Sequence, residues 1–92
     1  MYSLSSTPTD ISKALAERHK ALRKHLKISQ TEMAERSGVS LGSLKRFEGT
    51  GKISLESLLK LAHLINRLGD FDTVFKMKED KSEIEKLFII KP

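Results

Sequence analysis

The sequence predicts an all-α fold of five short helices, and three observations carry that expectation. Proline occurs only at Pro8 and Pro92, so no proline breaks a helix between them. Apolar residues recur three and four apart, in Ile11, Leu15, Leu22 and Leu26 and again in Leu55, Leu58, Leu59, Ala62 and Ile65. Side chains that can cap a helix, Thr7, Ser29, Ser40 and Ser54, stand just before the helical runs.

The first helix is expected to start at Thr7-Pro8-Thr9-Asp10. Thr7 can cap, Pro8 suits the first turn, and Asp10 sits well at the positive end of the dipole. Its pattern stops at Lys27-Ile28. Ser29-Gln30-Thr31-Glu32 has the form of a capping box and opens a second, short helix with Met33 and Ala34 inward. Gly38 supplies the left-handed exit from it, with Val39 as an apolar residue in the turn. Ser40 caps a third helix over Leu41 to Phe47, with Leu44 and Phe47 inward, and Gly49-Thr50-Gly51 is expected to be a loop. Ser54 caps the fourth helix, which Asn66-Arg67-Leu68-Gly69 ends, and Asp70 to Phe75 forms the fifth. Beyond it, Ser82-Glu83-Ile84-Glu85 could open a further short helix. Leu87 to Ile90 fits a helix or a strand, because period alone does not type so short an apolar run.

Composition narrows the function. The chain has 92 residues, room for one domain with a small core. It has no cysteine, which excludes a disulfide scaffold, a thiolate metal site and a cysteine nucleophile. The longest apolar run is four residues, Leu87 to Ile90, against the roughly 20 that a membrane span requires. Met1 to Ser6 lacks the basic-then-apolar pattern of a secretory leader, so a cytoplasmic chain is expected. The net charge is +5, but its distribution is uneven: Arg18 to Lys52 carries +6. A localised positive stretch of this kind suits a polyanion.

That stretch holds the motif with most functional content. Gln30 to Glu48 reads as a short helix, a Gly-Val-Ser turn and a second short helix. A helix-turn-helix unit needs a small residue where the helices touch (Ala34), a turn glycine (Gly38) and apolar anchors (Val39, Leu44). A plain helical hairpin would explain the apolar spacing. It would not explain the polar and basic outward side formed by Ser40, Ser43 and Arg46, with Lys45 nearby.

The run from Ile28 to Glu48 resembles the lambda-repressor-like, Cro/repressor (XRE) family. It fits the pattern Leu-Ser-Gln-x-x-Leu-Ala-x-x-x-Gly-Val-Ser-x-x-x-Leu-x-x-x-Glu, and the likeness continues through Ser54 to Ala62, covering Leu22 to Leu68 in all. The resemblance implies a five-helix DNA-binding domain over residues 7–75. Residues 76–92 then form a C-terminal extension open to dimer or partner contact. It implies that Gln30 grips a phosphate while supporting the recognition helix, and that Ser40 and Ser43 contact backbone or base. Leu41, Gly42 and Arg46 match positions facing base edges, with Lys45 beside them. Arg46 is the strongest reader, since a guanidinium can make two parallel bonds to guanine. Leu41 could pack on a thymine methyl. Gly49, Thr50, Gly51 and Lys52 match the loop that holds the DNA backbone. Arg23 and Glu48 match a pair that bridges the first helix to the end of the recognition helix.

Two features depart from the family pattern. Gly42 offers no side chain within the recognition helix, and the loop after Glu48 lacks the frequent basic pair followed by proline. The resemblance further implies a transcriptional regulator, a repressor acting as a homodimer on a palindromic operator. Phe47 to Ser54 and Arg67 to Asp72 are similar to small regulators that accompany HipA-type kinase toxins, which would make the chain an antitoxin with a kinase-like partner. The competing expectation is a protein-interaction module that has kept the fold without DNA binding.

No catalytic set, metal site or cofactor is expected. His19, His25 and His63 lack metal-ligand spacing and read as surface or satisfied histidines. Ser57-Leu58-Leu59-Lys60 matches Ser-x-x-Lys without the partner motifs of a serine hydrolase. Phe71, Val74 and Phe75 read as core or dimer contacts.

Overall fold

Each helix begins where a hydroxyl can take over an unpaired backbone donor. The computed structural model describes residues 6–77. These contain α1 (Pro8–His25), α2 (Gln30–Ser37), α3 (Leu41–Thr50), α4 (Leu55–Leu64) and a single 3-10 turn, Leu68–Phe71, with no strand among the described residues. All four α-helices have the N-caps the sequence proposes. The Thr7 hydroxyl accepts from the Asp10 amide at 3.1 Å and the Asp10 carboxylate accepts from the Thr7 amide at 3.1 Å, a complete capping box. Ser29, Ser40 and Ser54 accept from the amides of Glu32, Ser43 and Ser57. The reciprocal half expected at Ser29 is missing, because the Glu32 carboxylate turns to Arg36, 2.8 Å away and four residues on.

The core is small and central. Met33, Leu44 and Leu61 have no exposed surface and Phe47 is 1% exposed. Ala16, Ala34 and Val39 complete the cluster. Thus α1 lies against α3, α2 against both α3 and α4, and the 3-10 turn against α4. Ala34 and Val39 occupy the small contact and the turn anchor expected of them.

Several expectations are corrected. α3 continues past Phe47 to Thr50, because the Thr50 hydroxyl donates to the Arg46 carbonyl (2.7 Å) and accepts from the Lys52 amide (3.1 Å), which holds the last turn closed. Leu26 and Leu55 sit at the ends of their helices and are exposed, while Leu61 takes the central place in the α4 contact. The expected fifth helix, Asp70 to Phe75, is reduced to the 3-10 turn at Leu68–Phe71 with turns after it. Six residues without a side-chain cap do not offset the cost of nucleating a helix. Phe71 is half-buried and Phe75 is 99% exposed, so Phe75 is no core residue. The expectations at Ser82 to Glu85 and Leu87 to Ile90 lie outside the described residues.

Two glycines end helices in the left-handed region, Gly38 at φ 82° and Gly51 at φ 85°. Only Gly51 is also a close approach: a β-carbon there would lie 2.9 Å from the Ser12 carbonyl carbon and 3.0 Å from the Lys13 nitrogen, both backbone atoms of α1. Gly38→Ala is expected to cost about 1–2 kcal/mol, the penalty for a left-handed residue with a β-carbon. Gly51→Ala should cost that plus about 1–3 kcal/mol for overpacking. Urea unfolding of the two variants checks the difference. Equal losses would mean that α1 and α3 separate there without cost.

Candidate nucleic-acid interface

α3 has a buried side fixed by apolar contacts and an outward side with no such role. Leu44 and Phe47 point into the core. Gly42, Ser43, Lys45 and Arg46 are exposed, and there is open space around Gly42 where a side chain would stand. Ser40 caps the helix and its hydroxyl also donates to the Ser43 hydroxyl at 2.9 Å. Leu41 is half-buried against the core, so it is committed to packing and offers only part of its surface outward.

The far end of α3 is held by a carboxylate. The Glu48 side chain is 3% exposed and accepts four hydrogen bonds. Arg23 donates two in parallel, Nε to Oε2 and Nη2 to Oε1, each 2.9 Å. His19 Nδ1 donates to Oε2 at 2.8 Å, and Gln30 Nε2 to Oε1 at 3.1 Å. Arg23 Nη1 donates at 2.9 Å to the Ile28 carbonyl, in the link between α1 and α2. The expected Arg23–Glu48 bridge is therefore present, within a larger network that also takes in Gln30. Gln30 spends one amide hydrogen on Glu48, which fixes its place at the start of α2.

His19, whose spacing in the sequence reads as that of a surface or satisfied histidine, is a buried member of this network. Its ring meets Phe47 edge-on, with centroids 5.6 Å apart and planes at 62°. Burial pushes its pKa below the ordinary 6.5, against the bond and charge of Glu48, which raise it. Its Nε2 is buried without a partner. Neutral His19 with the proton on Nδ1 satisfies both facts, since a proton on Nε2 would be an unpaired buried donor. Burial alone would raise the Glu48 carboxyl, but the bonds from Arg23 and Gln30 and the Arg23 charge hold it below its ordinary 4.5. A histidine flanked by charged residues gives no periodic signal of burial. Its only trace in the sequence is a position four residues before Arg23, on the same helical face.

Arg46, Lys52 and Ser43 meet at a shallow depression, completed by Ile53, Ser54 and Ser57 at the start of α4. Lys45, Arg46 and Lys52 are exposed and take no part in an ion pair among the described residues. The Thr50 hydroxyl is occupied in closing the last turn of α3, so its role there is structural. Ser54 and Ser57 were not among the expected site residues. They bring a helix N-terminus to the depression, and such a terminus favours anions. Two exposed cations, hydroxyls and a helix N-terminus on one outward surface can bind phosphate and hydrogen-bond to base edges. Among the described residues no group of His, Asp or Glu could hold a metal ion, and no helix is long and apolar enough to cross a membrane.

A family model described as Helix-turn-helix matches residues 20–68, just over half of the chain, from the second half of α1 to the start of the 3-10 turn. No curated protein and no solved structure gives a match.

The titrations have a definite sign. Both His19 and Glu48 have folded pKa values below their ordinary 6.5 and 4.5, so the unfolded chain binds protons first. Their stabilisation is complete above pH 6.5, declines first through His19, and falls further below pH 4.5 as Glu48 protonates. His19→Gln keeps an amide donor and removes the first titration. Its unfolding free energy should be flat between about pH 6.5 and 5, where that of the wild type declines. Thermal melts across that range decide it; parallel curves would show that His19 does not titrate differently on folding.

Proposed function

The chain belongs to the helix-turn-helix family of lambda-repressor-like, XRE-type DNA-binding regulators, and we propose that it is a repressor acting as a homodimer on a palindromic operator. The family is a DNA-binding, non-enzymatic one. The observation that carries the finer reading is the outward side of α3, where Arg46 is exposed, in no ion pair, and shares a depression with Lys52 and the N-terminus of α4. With α3 in a major groove, Arg46 reads guanine, Ser43 and Lys45 contact neighbouring bases or backbone, and Gly42 allows close approach. Ser40 and Gln30 meet the backbone at one end of the site and Lys52 at the other, with Leu41 offering its exposed part to a thymine methyl and Thr50 shaping the loop.

One short helix spans few base pairs, so useful specificity favours two copies with half-sites about 34–36 Å apart. A face for the second copy is available. Leu55, Leu68, Val74 and Phe75 are exposed, and Leu68 also lines a depression with Leu59 and Phe71. Exposed apolar groups around such a depression favour an interaction surface. On this reading residues 7–75 are the DNA-binding domain and residues 76–92 a C-terminal extension open to dimer or partner contact. The resemblance to regulators that accompany HipA-type kinase toxins supports an antitoxin role, which co-purification with a kinase-like protein would test.

Arg46→Ala should lose about 1–3 kcal/mol on the operator and blur preference at one base pair. Lys52→Ala should weaken all duplexes alike and lower the salt slope by about 0.9. Titrations on specific and scrambled duplexes separate the two; equal weakening of every duplex by both variants would remove Arg46 as a reader. Leu68→Asp should convert a dimer to a monomer in analytical ultracentrifugation. A wild type that sediments as a monomer at all concentrations would refute the dimer.

A further inference from the structure

The positive excess between Arg18 and Lys52 is only partly accounted for by α3 and the loop after it. Arg23 is buried on Glu48 and Arg36 is paired with Glu32. Lys20, Lys24 and Lys27 remain besides Arg18, and Lys13 joins them from earlier in α1. At 100° per residue Lys13, Lys20 and Lys24 fall within about 40° of one another, a single stripe on α1. Lys27 lies just past the helix end, at φ 60°, in the link to α2. All four are exposed, and none takes part in an ion pair among the described residues. Glu17 is the single acid on the stripe, itself exposed.

The ends of the stripe adjoin both ends of the candidate interface. At Lys13 the backbone of α1 touches Gly51, next to Lys52. At the other end Lys27 stands two residues before Ser29, which caps α2 ahead of Gln30. From Lys13 to Lys24 the stripe extends about 17 Å at 1.5 Å per residue. Along a duplex that length passes about five phosphates of one strand, at 3.4 Å each. We propose that the Lys13, Lys20, Lys24 and Lys27 stripe of α1 is a second DNA-contact surface, which binds phosphates flanking the half-site and adds affinity without sequence preference. Its occupant is fixed by charge: the stripe has four cations to one anion, no apolar member and continuity with a phosphate-binding edge. The proposal rests on the DNA-binding reading of α3.

The test measures duplex binding by fluorescence anisotropy over a series of salt concentrations. It uses the full chain and two duplexes carrying the half-sites that the protein selects from a random DNA pool, one with long flanks and one trimmed to the half-sites. The variants are the quadruple Lys→Gln change at these positions, the quadruple Lys→Arg change, and Glu17→Gln. On the long duplex the Lys→Gln variant should lose up to about 0.9 of salt slope per lysine, while its ratio of specific to scrambled binding stays that of the wild type. Lys→Arg should restore the slope, and Glu17→Gln should tighten binding to the long duplex. Trimming the flanks should weaken the wild type and leave the Lys→Gln variant unchanged. A Lys→Gln slope equal to that of the wild type on the long duplex overturns the proposal, and leaves the α3 reading intact if Arg46→Ala still blurs specificity. An unchanged slope together with lost binding of labelled poly-glutamate overturns it in favour of an acidic protein partner. If the wild type binds neither duplex, the α3 reading fails and the stripe with it.

Discussion

The arrangement of the three helices around the motif depends on one buried carboxylate. Glu48 lies on α3, two of its partners on α1 and one on α2. An apolar side chain could fill the same space, but it would not fix rotation or register, since dispersion contacts tolerate sliding. A bidentate guanidinium tolerates neither. Burying such a pair is a weak source of net stability, whereas removing one partner typically costs about 3–5 kcal/mol because a charge is left unpaired. The network therefore acts mainly against wrong arrangements. It sets the angle at which α3 leaves the turn after Gly38, and Arg23 extends the constraint to the α1–α2 link through the Ile28 carbonyl.

Around this constraint the domain uses short elements with well-defined ends. α2, α3 and α4 have eight, ten and ten residues, lengths at which an isolated helix is marginal in water. Each begins at a serine whose hydroxyl accepts an otherwise unpaired amide, and α2 and α3 end at a left-handed glycine. The core is correspondingly economical: among the described residues four large side chains are fully buried, and Ala16 and Ala34 let helices approach closely enough for so few to suffice.

What the sequence made legible was the local chemistry. The caps at Thr7, Ser29, Ser40 and Ser54, the exit at Gly38 and the inward Leu44 and Phe47 all follow from rules that act over a few residues. The Arg23–Glu48 bridge was legible only through the family pattern, because a buried charged residue looks in sequence like a solvated one until its partner is known. His19 was illegible for the same reason. Apolar periodicity overstated burial at helix ends, where Leu26 and Leu55 have the right spacing but no opposing element. The role of Gly51 was hidden because its demand comes from α1, nearly forty positions earlier. For the site, the sharing of one depression by Arg46 and Lys52, the core commitment of Leu41 and the share of Gln30 in the Glu48 network required the packing to be seen.

The division of α3 into a gripped side and an outward side has a consequence for how such a protein can change. Ser43, Lys45 and Arg46 are exposed and outside the core cluster, and Gly42 faces open space. Substitutions at Gly42, Lys45 and Arg46 leave the cap at Ser40, the anchors Leu44 and Phe47 and the Glu48 clamp untouched, and at Ser43 only the hydroxyl bond from Ser40 is lost while the backbone cap bond stays. Surface changes of that kind usually shift stability by less than about 0.5 kcal/mol. On the proposed reading of α3, the scaffold and its address are thus nearly independent variables, and a lineage built on this domain can be redirected to a new sequence through a handful of codons without first having to learn again how to fold.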